Sequence, residues 1–332
     1  MSDSVVSQIT DRLKGNNKWI ILCHENPDGD TLGCGLALYS LGVRLGKDVR
    51  IGGKDAVPDR YAFLPNSIFF EVFKRISIDD VKGCLVICVD TSTAERCVPD
   101  IYEIAASGLV DTINIDHHGD NEKYCQLNLI DASASATAEI ITRIIKSCWS
   151  LTKDEAVCLY TALTTDNGNF RFTSTTSSSH LCASELLLTG MDPSYVDDCI
   201  NENMTAGIVK LWGIAFSRTE IFANGVAAIF WLRADDFTAT DTDSAASDGL
   251  VNMLLRIKGV KIALILCELN GTNKASIRTR LPYSARDIAG VWGGGGHIQA
   301  AGARIDGNFD DALQKLKTEA DRYVLSRIHS NQ

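Results

Sequence analysis

The sequence has no excess of positive charge and no long apolar run. Its formal net charge at pH 7 is −10, so it presents no overall positive field that would attract long nucleic acid. No apolar stretch approaches the roughly 20 residues of a membrane-spanning helix, and residues 1–4 are polar where a secretion signal would be followed by an apolar core. We therefore expect neither a transmembrane protein nor a binder of long nucleic acid, although bound metal ions could still attract a small anion.

The eleven cysteines form neither a disulfide framework nor a C-x-x-C pair. Their number is odd, and several, such as Cys88 and Cys158, lie within apolar patterns where cysteine behaves as a small hydrophobic residue. We expect a cytoplasmic protein, because reduced cysteines are typical of that compartment. The 332 residues, 45% of them apolar, are enough for one large domain or two ordinary ones.

Short apolar runs alternate with helical stretches in the first half of the chain. Strands are predicted at 19–23, 48–52, 84–89 and 110–115, and helices at 31–45, 134–148, 152–164 and 177–189. Continuous apolar strands alternating with helices predict an α/β fold in which a parallel sheet is covered by helices.

The segment Gly190-Met191-Asp192-Pro193 is a strong helix stop and marks the end of this pattern. Residues 193–218 are mostly helical, and a second α/β pattern follows, with strands at 226–231, 262–268 and 274–280 and a helix at 248–257. We predict a larger N-terminal domain at 1–191, a helical connector at 192–219 and a smaller α/β domain at 220–332.

Aspartate and histidine residues follow three of the predicted strands. They are His24, Asp28 and Asp30 after the first strand, Asp90 after the strand at 84–89, and Asp116, His117 and His118 after the strand at 110–115. The carboxyl ends of parallel strands meet at one edge of a sheet, where the ligands of open α/β sheets bind. Carboxylate and imidazole groups together at that edge predict a metal site.

Each of these residues also has a purely local explanation. Asp28 and Asp30 suit a turn and a helix N-terminus, and Asp90, which precedes Thr91 and Ser92, suits a cap. Taken alone, the cap is the better explanation of Asp90. The histidines favour the metal site, because the chain has only six and three of them fall in these clusters.

Asp166 follows an apolar helical pattern and precedes a glycine turn at Gly168. A carboxylate at a helix C-terminus opposes the helix dipole, so a purely structural role is unfavourable and Asp166 becomes a further candidate. By contrast, Gly33 and Gly35 indicate a dinucleotide-binding loop only weakly, since Leu38 occupies the position of its third glycine.

The run Gly293-Gly294-Gly295-Gly296-His297 is the most distinctive feature of the second domain. Consecutive glycines expose backbone N–H groups and allow a ligand to approach closely, which suits a phosphate. Residues 298–302 are expected to open a short helix or turn, and Arg278 on a predicted strand could bind a phosphate through two guanidinium nitrogens. The alternatives are a flexible linker and an exposed strand arginine.

In combination, these residues resemble the DHH phosphoesterase family with a C-terminal DHHA1 domain. The resemblance rests on H-E-N-P-D-G-D at 24–30, V-D-T-S at 89–92, D-H-H at 116–118, T-D-N-G-N-F-R-F at 165–172 and G-G-G-G-H-I-Q-A-A-G at 293–302. The motifs keep the family's order over nearly the whole chain, and the compact NrnA-like group of oligoribonucleases and pAp phosphatases is the most similar. Departures at Cys34, Asn167 and Thr279 remove no expected ligand but leave the substrate preference open.

The resemblance implies two divalent metal ions, usually Mn²⁺. One would be held by His24, Asp28 and Asp90, and the other by Asp30, Asp90, His117 and Asp166, with Asp90 as the shared ligand. Asp90 and His118 would be the catalytic residues, with His118 stabilising charge on the phosphoryl oxygens. A terminal phosphate of the substrate would be bound by Arg278, Gly294, Gly295, Gly296 and His297, and the connector would let the two domains close around it.

The resemblance also implies hydrolysis of short oligonucleotides, such as linear dinucleotides and nanoRNA, and of pAp. A RecJ-like exonuclease for long single strands would need a basic track or an OB-fold, and neither is visible. Pyrophosphatase and polyphosphatase relatives carry a different C-terminal domain. A non-catalytic nucleotide sensor would be expected to lack a metal ligand, but this chain has all the expected ligands. No membrane partner is expected, and a homodimer is left open.

Overall fold

The computed structural model describes residues 3–98, 100–202, 204–269 and 271–329. The chain divides into two compact units, Met1–Asn203 and Met204–Gln332. The segment predicted as a connector, 192–219, is largely helical and contains this division, so one of its helices belongs to each unit.

The sheet of the first unit is entirely parallel. Its strands are β1 (Lys18–Leu22), β2 (Asp48–Gly53), β3 (Phe70–Val72), β4 (Leu85–Val89), β5 (Asp111–Asp116) and β6 (Leu127–Ile130). Their order is β3-β2-β1-β4-β5-β6, so the direction of strand addition reverses between β1 and β4. Ligands bind beyond the carboxyl ends of strands at such a reversal, and His24 and Asp90 follow these two strands.

Helices cover both faces of this sheet, as predicted. They are α1 (Asp3–Gly15), α2 (Gly29–Arg44), α3 (Ile78–Val81), α4 (Ile101–Ser107), α5 (Thr137–Cys148), α6 (Lys153–Asp166), α7 (Ser177–Leu187) and α8 (Pro193–Asn201). Because side chains alternate along a strand, Ile21 and Ile87 pack in one core with α2, α5 and α6, while Ile20 and Val86 pack in the other with α3 and α4.

Two glycines allow α2 to pack closely against α6. A Cβ atom at Gly33 would lie 2.2 Å from the Cys158 carbonyl oxygen, and one at Gly29 would lie 2.2 Å from Thr165 Oγ1. Gly33 therefore serves helix packing, and the weakly indicated dinucleotide loop is not supported. The close packing also brings the start of α2, which carries Asp30, near the end of α6, which carries Asp166.

The second unit contains a mixed sheet with the order β11-β12-β10-β9-β8-β7. The strands are β7 (Glu220–Phe222), β8 (Ala227–Leu232), β9 (Ile262–Leu269), β10 (Thr272–Thr279), β11 (Gly295–Gly296) and β12 (Ala300–Ile305). Its α-helices are α9 (Ala206–Ser217), α10 (Ala234–Ala239), α11 (Ala285–Gly290) and α12 (Phe309–His329). Only β8 and β9 pair in parallel among these described strands.

Two local predictions for the second unit were right only in part. The predicted helix at 248–257 is a shorter 3₁₀ helix, Leu250–Arg256. After the glycine run a turn forms at His297–Ala300, as one of the two expected structures, and β12 begins at Ala300 and pairs with β10. Among the described residues, no helix combines the length and apolarity needed to cross a bilayer.

Candidate metal centre

A first set of ligands, His24, Asp28 and Asp90, meets at the edge of the parallel sheet. Nε2 of His24 lies 3.6 Å from Asp28 Oδ1 and 3.6 Å from Asp90 Oδ2. Asp28 caps α2 by accepting hydrogen bonds from the N–H groups of Asp30 and Thr31, so the local capping role and the site role coexist. The three ligand atoms could hold one metal ion.

A second set comprises Asp30, Asp90, His117 and Asp166. Nε2 of His117 lies 3.3 Å from Asp166 Oδ2, 3.6 Å from Asp90 Oδ1 and 3.9 Å from Asp30 Oδ2. These residues come from α2, the end of β4, the end of β5 and the last residue of α6. The fold therefore brings the sequence-predicted ligands together from four separate segments.

Asp90 belongs to both sets through different oxygen atoms. Its Oδ2 faces His24 of the first set, whereas its Oδ1 faces His117 of the second. The residue has a positive φ of 54° directly after β4, and its N–H donates to the Ile115 carbonyl oxygen at 2.9 Å. Aspartate tolerates this left-handed backbone better than most residues, and such strain is typical of functional positions.

In both candidate ligand histidines, Nδ1 faces a backbone carbonyl group. Nδ1 of His24 lies 2.7 Å from the Glu25 carbonyl oxygen, and Nδ1 of His117 lies 3.3 Å from that of Ala134. A carbonyl oxygen only accepts hydrogen bonds, so the proton of each neutral ring is assigned to Nδ1. Nε2 then has a lone pair available to a metal, which is the usual arrangement of metal-binding histidines.

The electrostatics of the cluster also fit divalent cations. Burial, together with Asp90 and Asp166, raises the pKa of Asp30 well above its usual value. Burial raises the pKa of Asp166 to about 6, partly opposed by His117. Burial alone would lower the pKa of His24, but Asp28 and Asp90 raise it to about 10. The raised pKa of Asp30 reflects burial and repulsion among neighbouring carboxylates, and a divalent cation would relieve this repulsion on displacing their protons.

His118 lies beside the cluster but is held for a different task. Its Nδ1 lies 2.8 Å from Asp116 Oδ1, which is closer than the 3.7 Å to Asp90 Oδ1. That nitrogen is therefore not free to bind a metal. The hydrogen bond to Asp116, opposed by burial, raises the pKa of His118 to about 9. In the metal-free protein such a pKa gives a protonated ring at neutral pH, whose other nitrogen can donate to an anionic oxygen.

Asp116 and Thr137 support the site and were not assigned roles from the sequence. Asp116 is fully buried and also accepts a hydrogen bond from Asn121 Nδ2 at 2.6 Å. Thr137 is the first residue of α5: its N–H donates to Asp30 Oδ2 at 2.7 Å and its hydroxyl to Asp90 Oδ1 at 2.9 Å. The sequence placed Asp116 in the cluster after the strand at 110–115 without a role of its own, whereas nothing in the sequence distinguishes Thr137 from other threonines.

We expect Thr137→Val to weaken metal binding, because it removes the hydroxyl that orients Asp90. Valine keeps the branched shape, and the backbone N–H to Asp30 remains. Loss of such a supporting hydrogen bond typically lowers metal affinity by about 10- to 100-fold. Calorimetric titration with Mn²⁺ measures this change, and Thr137→Ser, which keeps the hydroxyl, is the matched control. Equal affinities for the valine variant and the wild type would show that Asp90 is oriented without Thr137.

In the second unit, Arg278 lies among small residues on the more exposed face of the sheet. On β10, Arg278 pairs with Ala300 of β12. Ser276, which lies on the same face of β10, pairs with Gly302 of β12, and Gly302 pairs on its other side with Gly295 of β11. Directly paired residues project on the same face, and a Cβ atom at Gly295 would meet no other atom within 4 Å. Within the described ranges no carboxylate lies within ion-pair distance of Arg278, although the charge of Asp248 acts on it. Its Nη1 donates to the Ile277 carbonyl oxygen at 3.0 Å, so the remaining guanidinium nitrogens are available to an anion.

The glycine run is less open than predicted. The N–H of Gly293 donates to the Gly290 carbonyl oxygen at 3.0 Å, and that of Gly294 donates to the Ala289 carbonyl oxygen at 3.1 Å. A Cβ atom at Gly294 would lie 2.3 Å from the Gly302 carbonyl oxygen. Gly294 is thus needed for close approach of two backbone segments, and the expectation that four consecutive N–H groups are exposed is wrong for the first two.

The end of the run is also shaped by the backbone. Gly296 has a φ of +139°, and a Cβ atom there would lie 2.5 Å from the Ala300 carbonyl oxygen. The N–H of His297 donates to the same oxygen at 2.8 Å, which closes a turn. The His297 side chain is exposed, so it is accessible to a ligand.

Comparison with known proteins agrees with both units. The model of the DHH family N-terminal domain matches residues 18–163, and that of the DHHA1 domain matches residues 225–324. The bifunctional oligoribonuclease and PAP phosphatase NrnA of Thermus thermophilus is 31% identical over 92% of this chain and 90% of its own, and the Bacillus subtilis protein of the same name is 27% identical over 92% and 94%. The crystal structure of an exopolyphosphatase-related protein from Bacteroides fragilis has a TM-score of 0.85, with 25% identity over 97% of each chain.

The fold and the ligand sets define a hydrolase of phosphate esters that uses divalent metal ions. The chain belongs to the DHH family of phosphoesterases with a DHHA1 domain, in the NrnA-like group.

Proposed function

We propose that this protein hydrolyses short oligonucleotides, including linear dinucleotides and nanoRNA, and also pAp, with two Mn²⁺ ions. The observation that carries the proposal is the position of Asp90, whose two oxygens face two separate ligand sets. Two-metal hydrolysis of phosphate esters uses adjacent metal ions. The substrate class is supported by the relatives from Thermus thermophilus and Bacillus subtilis, which are named for oligoribonuclease and PAP phosphatase activities.

In this proposal the first unit positions the reacting phosphate. His24, Asp28 and Asp90 would hold one metal ion, and Asp30, Asp90, His117 and Asp166 would hold the other. When bound, such ions would supply an activated water at neutral pH and would withdraw charge from the phosphoryl oxygens. His118, kept in position by Asp116, donates a hydrogen bond to a phosphoryl oxygen and stabilises the charge that develops there.

The second unit contributes recognition of a terminal phosphate. Arg278 provides a guanidinium without a carboxylate partner in the described chain, and the small residues beside it leave space for an anion. Arginine binds phosphate through two parallel hydrogen bonds. His297 and the open position at Gly295 complete this group, with Gly294 and Gly296 shaping the loop around them.

The proposal is tested by assaying the purified protein with Mn²⁺ on a panel of substrates. The panel contains pAp, a linear dinucleotide, a cyclic dinucleotide and a twenty-residue single strand. Inorganic polyphosphate is included because the Bacteroides fragilis structure is titled exopolyphosphatase-related. We expect kcat/KM to be greatest for the linear dinucleotide and pAp. Preference for the long strand or for polyphosphate would refute the proposed substrate class.

We expect Mn²⁺ to activate the enzyme better than Mg²⁺, and Ca²⁺ not to support activity. Each ligand set contains one imidazole, which suits a borderline metal, whereas Mg²⁺ and Ca²⁺ prefer oxygen ligands. Protein stripped with a chelator should be inactive and should recover with Mn²⁺. Rates are compared at saturating concentrations of each ion, and equal rates with Mg²⁺ and Mn²⁺ would contradict the proposed ligand sets.

We also propose a cytoplasmic location, which is supported by the state of the cysteines. The sulfur atoms of Cys88 and Cys97 lie 3.9 Å apart in a buried cluster and are not bonded to each other. Reduced thiols at this separation suit a reducing compartment.

A further inference from the structure

The arginines of the first unit fall into two groups. Eight arginines precede residue 200, and those at 12, 44, 50, 75 and 143 form ion pairs with carboxylates. The other three, Arg60, Arg96 and Arg171, form none with the described residues of the chain. Arg60 lies over the Tyr61 ring, and Arg171 donates to the Gly168 carbonyl oxygen. Arg96 is the one that contacts a metal-site residue directly.

The protein backbone fixes Arg96 beside His24. Arg96 ends the short 3₁₀ turn Ala94–Arg96, which follows β4 and Asp90. The Arg96 carbonyl oxygen accepts a hydrogen bond from the Glu25 N–H at 2.7 Å. This bond connects the 3₁₀ turn to the loop between β1 and α2, which contains His24 and Asp28. Arg96 is half-buried, and its Nη2 lies 3.3 Å from His24 Nδ1.

The nature of that short contact depends on the tautomer of His24. In the tautomer that leaves Nε2 to a metal ion, Nδ1 carries the proton and donates it to the Glu25 carbonyl oxygen at 2.7 Å. An arginine N–H group only donates, so two donors face each other and neither satisfies the other. Protonation of the second ring nitrogen of His24 would not change this conclusion. In this tautomer the Arg96 guanidinium therefore lacks both a carboxylate and an acceptor on His24.

The nearest alternative cation is already engaged. Lys54 lies close to the same loop, but its ammonium group binds Glu25 Oε2 at 3.0 Å. Arg96 does not share this carboxylate in any described contact. It is thus the cation of this loop that remains available to an incoming anion.

We propose that Arg96 binds a phosphate oxygen of the substrate from the metal-binding unit, a role that rests on the proposed hydrolysis of phosphate esters. The ligand class is a phosphate oxyanion, because a guanidinium matches its geometry and gains most when it is partly desolvated. Arg96 lies on the Nδ1 side of His24, whereas Asp28 and Asp90 lie on the Nε2 side. Arg96 therefore holds no metal, and the proposed contribution is to substrate binding, equally in the ground and transition states.

The experiment compares Arg96→Gln with wild type in the Mn²⁺-loaded full chain. Binding of 5′-AMP and of adenosine is measured by calorimetry or competition, and KM and kcat are measured with a linear dinucleotide. We expect the affinity for 5′-AMP to fall, and KM to rise, by roughly ten- to a hundred-fold, with kcat changing less than about three-fold. The affinity for adenosine should not change, and Arg96→Lys should recover part of the loss.

Arg75→Gln is the matched control, since Arg75 is a well-exposed arginine paired with Asp100, and it should leave every parameter unchanged. Manganese stoichiometry and affinity of Arg96→Gln should equal those of the wild type. Loss of manganese would show that Arg96 supports His24 and would overturn the proposal, as would unchanged affinity for 5′-AMP. A wild type that binds 5′-AMP through Arg96 but does not cleave the dinucleotide would refute the proposed substrate while supporting this assignment.

Discussion

Asp90→Ala is expected to lower turnover at least about a thousand-fold while leaving the fold intact. Asp90 supplies one oxygen to each ligand set, so its loss weakens both metal positions at once. Removal of a buried carboxylate also relieves repulsion with Asp30, whose pKa it helps to raise. We therefore expect the metal-free variant to melt close to the wild type, apart from a cost of about 1–2 kcal/mol for alanine at a left-handed position.

The variant Asp90→Asn removes the negative charge of the side chain but keeps a residue that tolerates the left-handed backbone conformation. Asparagine fits the same volume and tolerates a positive φ, but its neutral amide is a poor ligand for a cation. It should be as inactive as the alanine variant and should bind manganese more weakly than the wild type. Activity, manganese binding and thermal melting are measured on the same preparations. Near-normal manganese-dependent activity in a folded variant would refute the assignment of Asp90 as the shared ligand.

We expect kcat/KM to fall as the oligonucleotide lengthens. We also expect Arg278→Ala to lower kcat/KM most for short, end-phosphorylated substrates. The net charge of −10 gives no attraction for the remainder of a long strand. A lost charged hydrogen bond costs about 1.5–3 kcal/mol, which lowers kcat/KM by roughly ten- to a hundred-fold. Arg278→Ala changes none of the candidate metal ligands, so its manganese affinity should equal that of the wild type.

The measurement is kcat/KM for a dinucleotide and a twenty-mer, in the wild type and in Arg278→Ala. Arg218→Ala is not a suitable control, because the Arg218 side chain is itself partly buried and also donates to the Trp231 carbonyl oxygen. Arg322, an exposed arginine paired with Glu319 on α12, is suitable, and Arg322→Ala should have no effect. A preference for the twenty-mer, or unchanged dinucleotide hydrolysis in Arg278→Ala, would contradict recognition of the end phosphate.

The position of the metal centre could be predicted from the sequence because its ligands follow strands. Residues directly after parallel strands must lie at one sheet edge, whatever the intervening loops do. His24, Asp90 and His117 are candidate ligands of this kind, and Asp166 was added from its position at a helix C-terminus and from the family resemblance. The α/β class followed from the same apolar runs. The short strands β3 and β6 were not predicted, because three or four residues give too weak an alternation.

Other features depend on contacts between residues far apart in the chain. The close packing of α2 on α6 brings Asp30 near Asp166, and Thr137 meets Asp90 across 47 positions. No local sequence pattern predicts these contacts, because they form only when the helices pack against one another. The same holds for the glycine run, where Gly294 is required by the neighbouring strand.

The sequence by itself determined which residues can bind metal and at which edge of the sheet they lie, because strand direction fixes the position of the residue that follows. Only the tertiary structure decided what each side chain faces. It divided the oxygens of Asp90 between two ligand sets, directed the Nδ1 atoms of His24 and His117 to carbonyl groups, and left Arg96 without a carboxylate among the described residues. These properties depend on packing and on hydrogen-bond partners, which one-dimensional spacing does not specify.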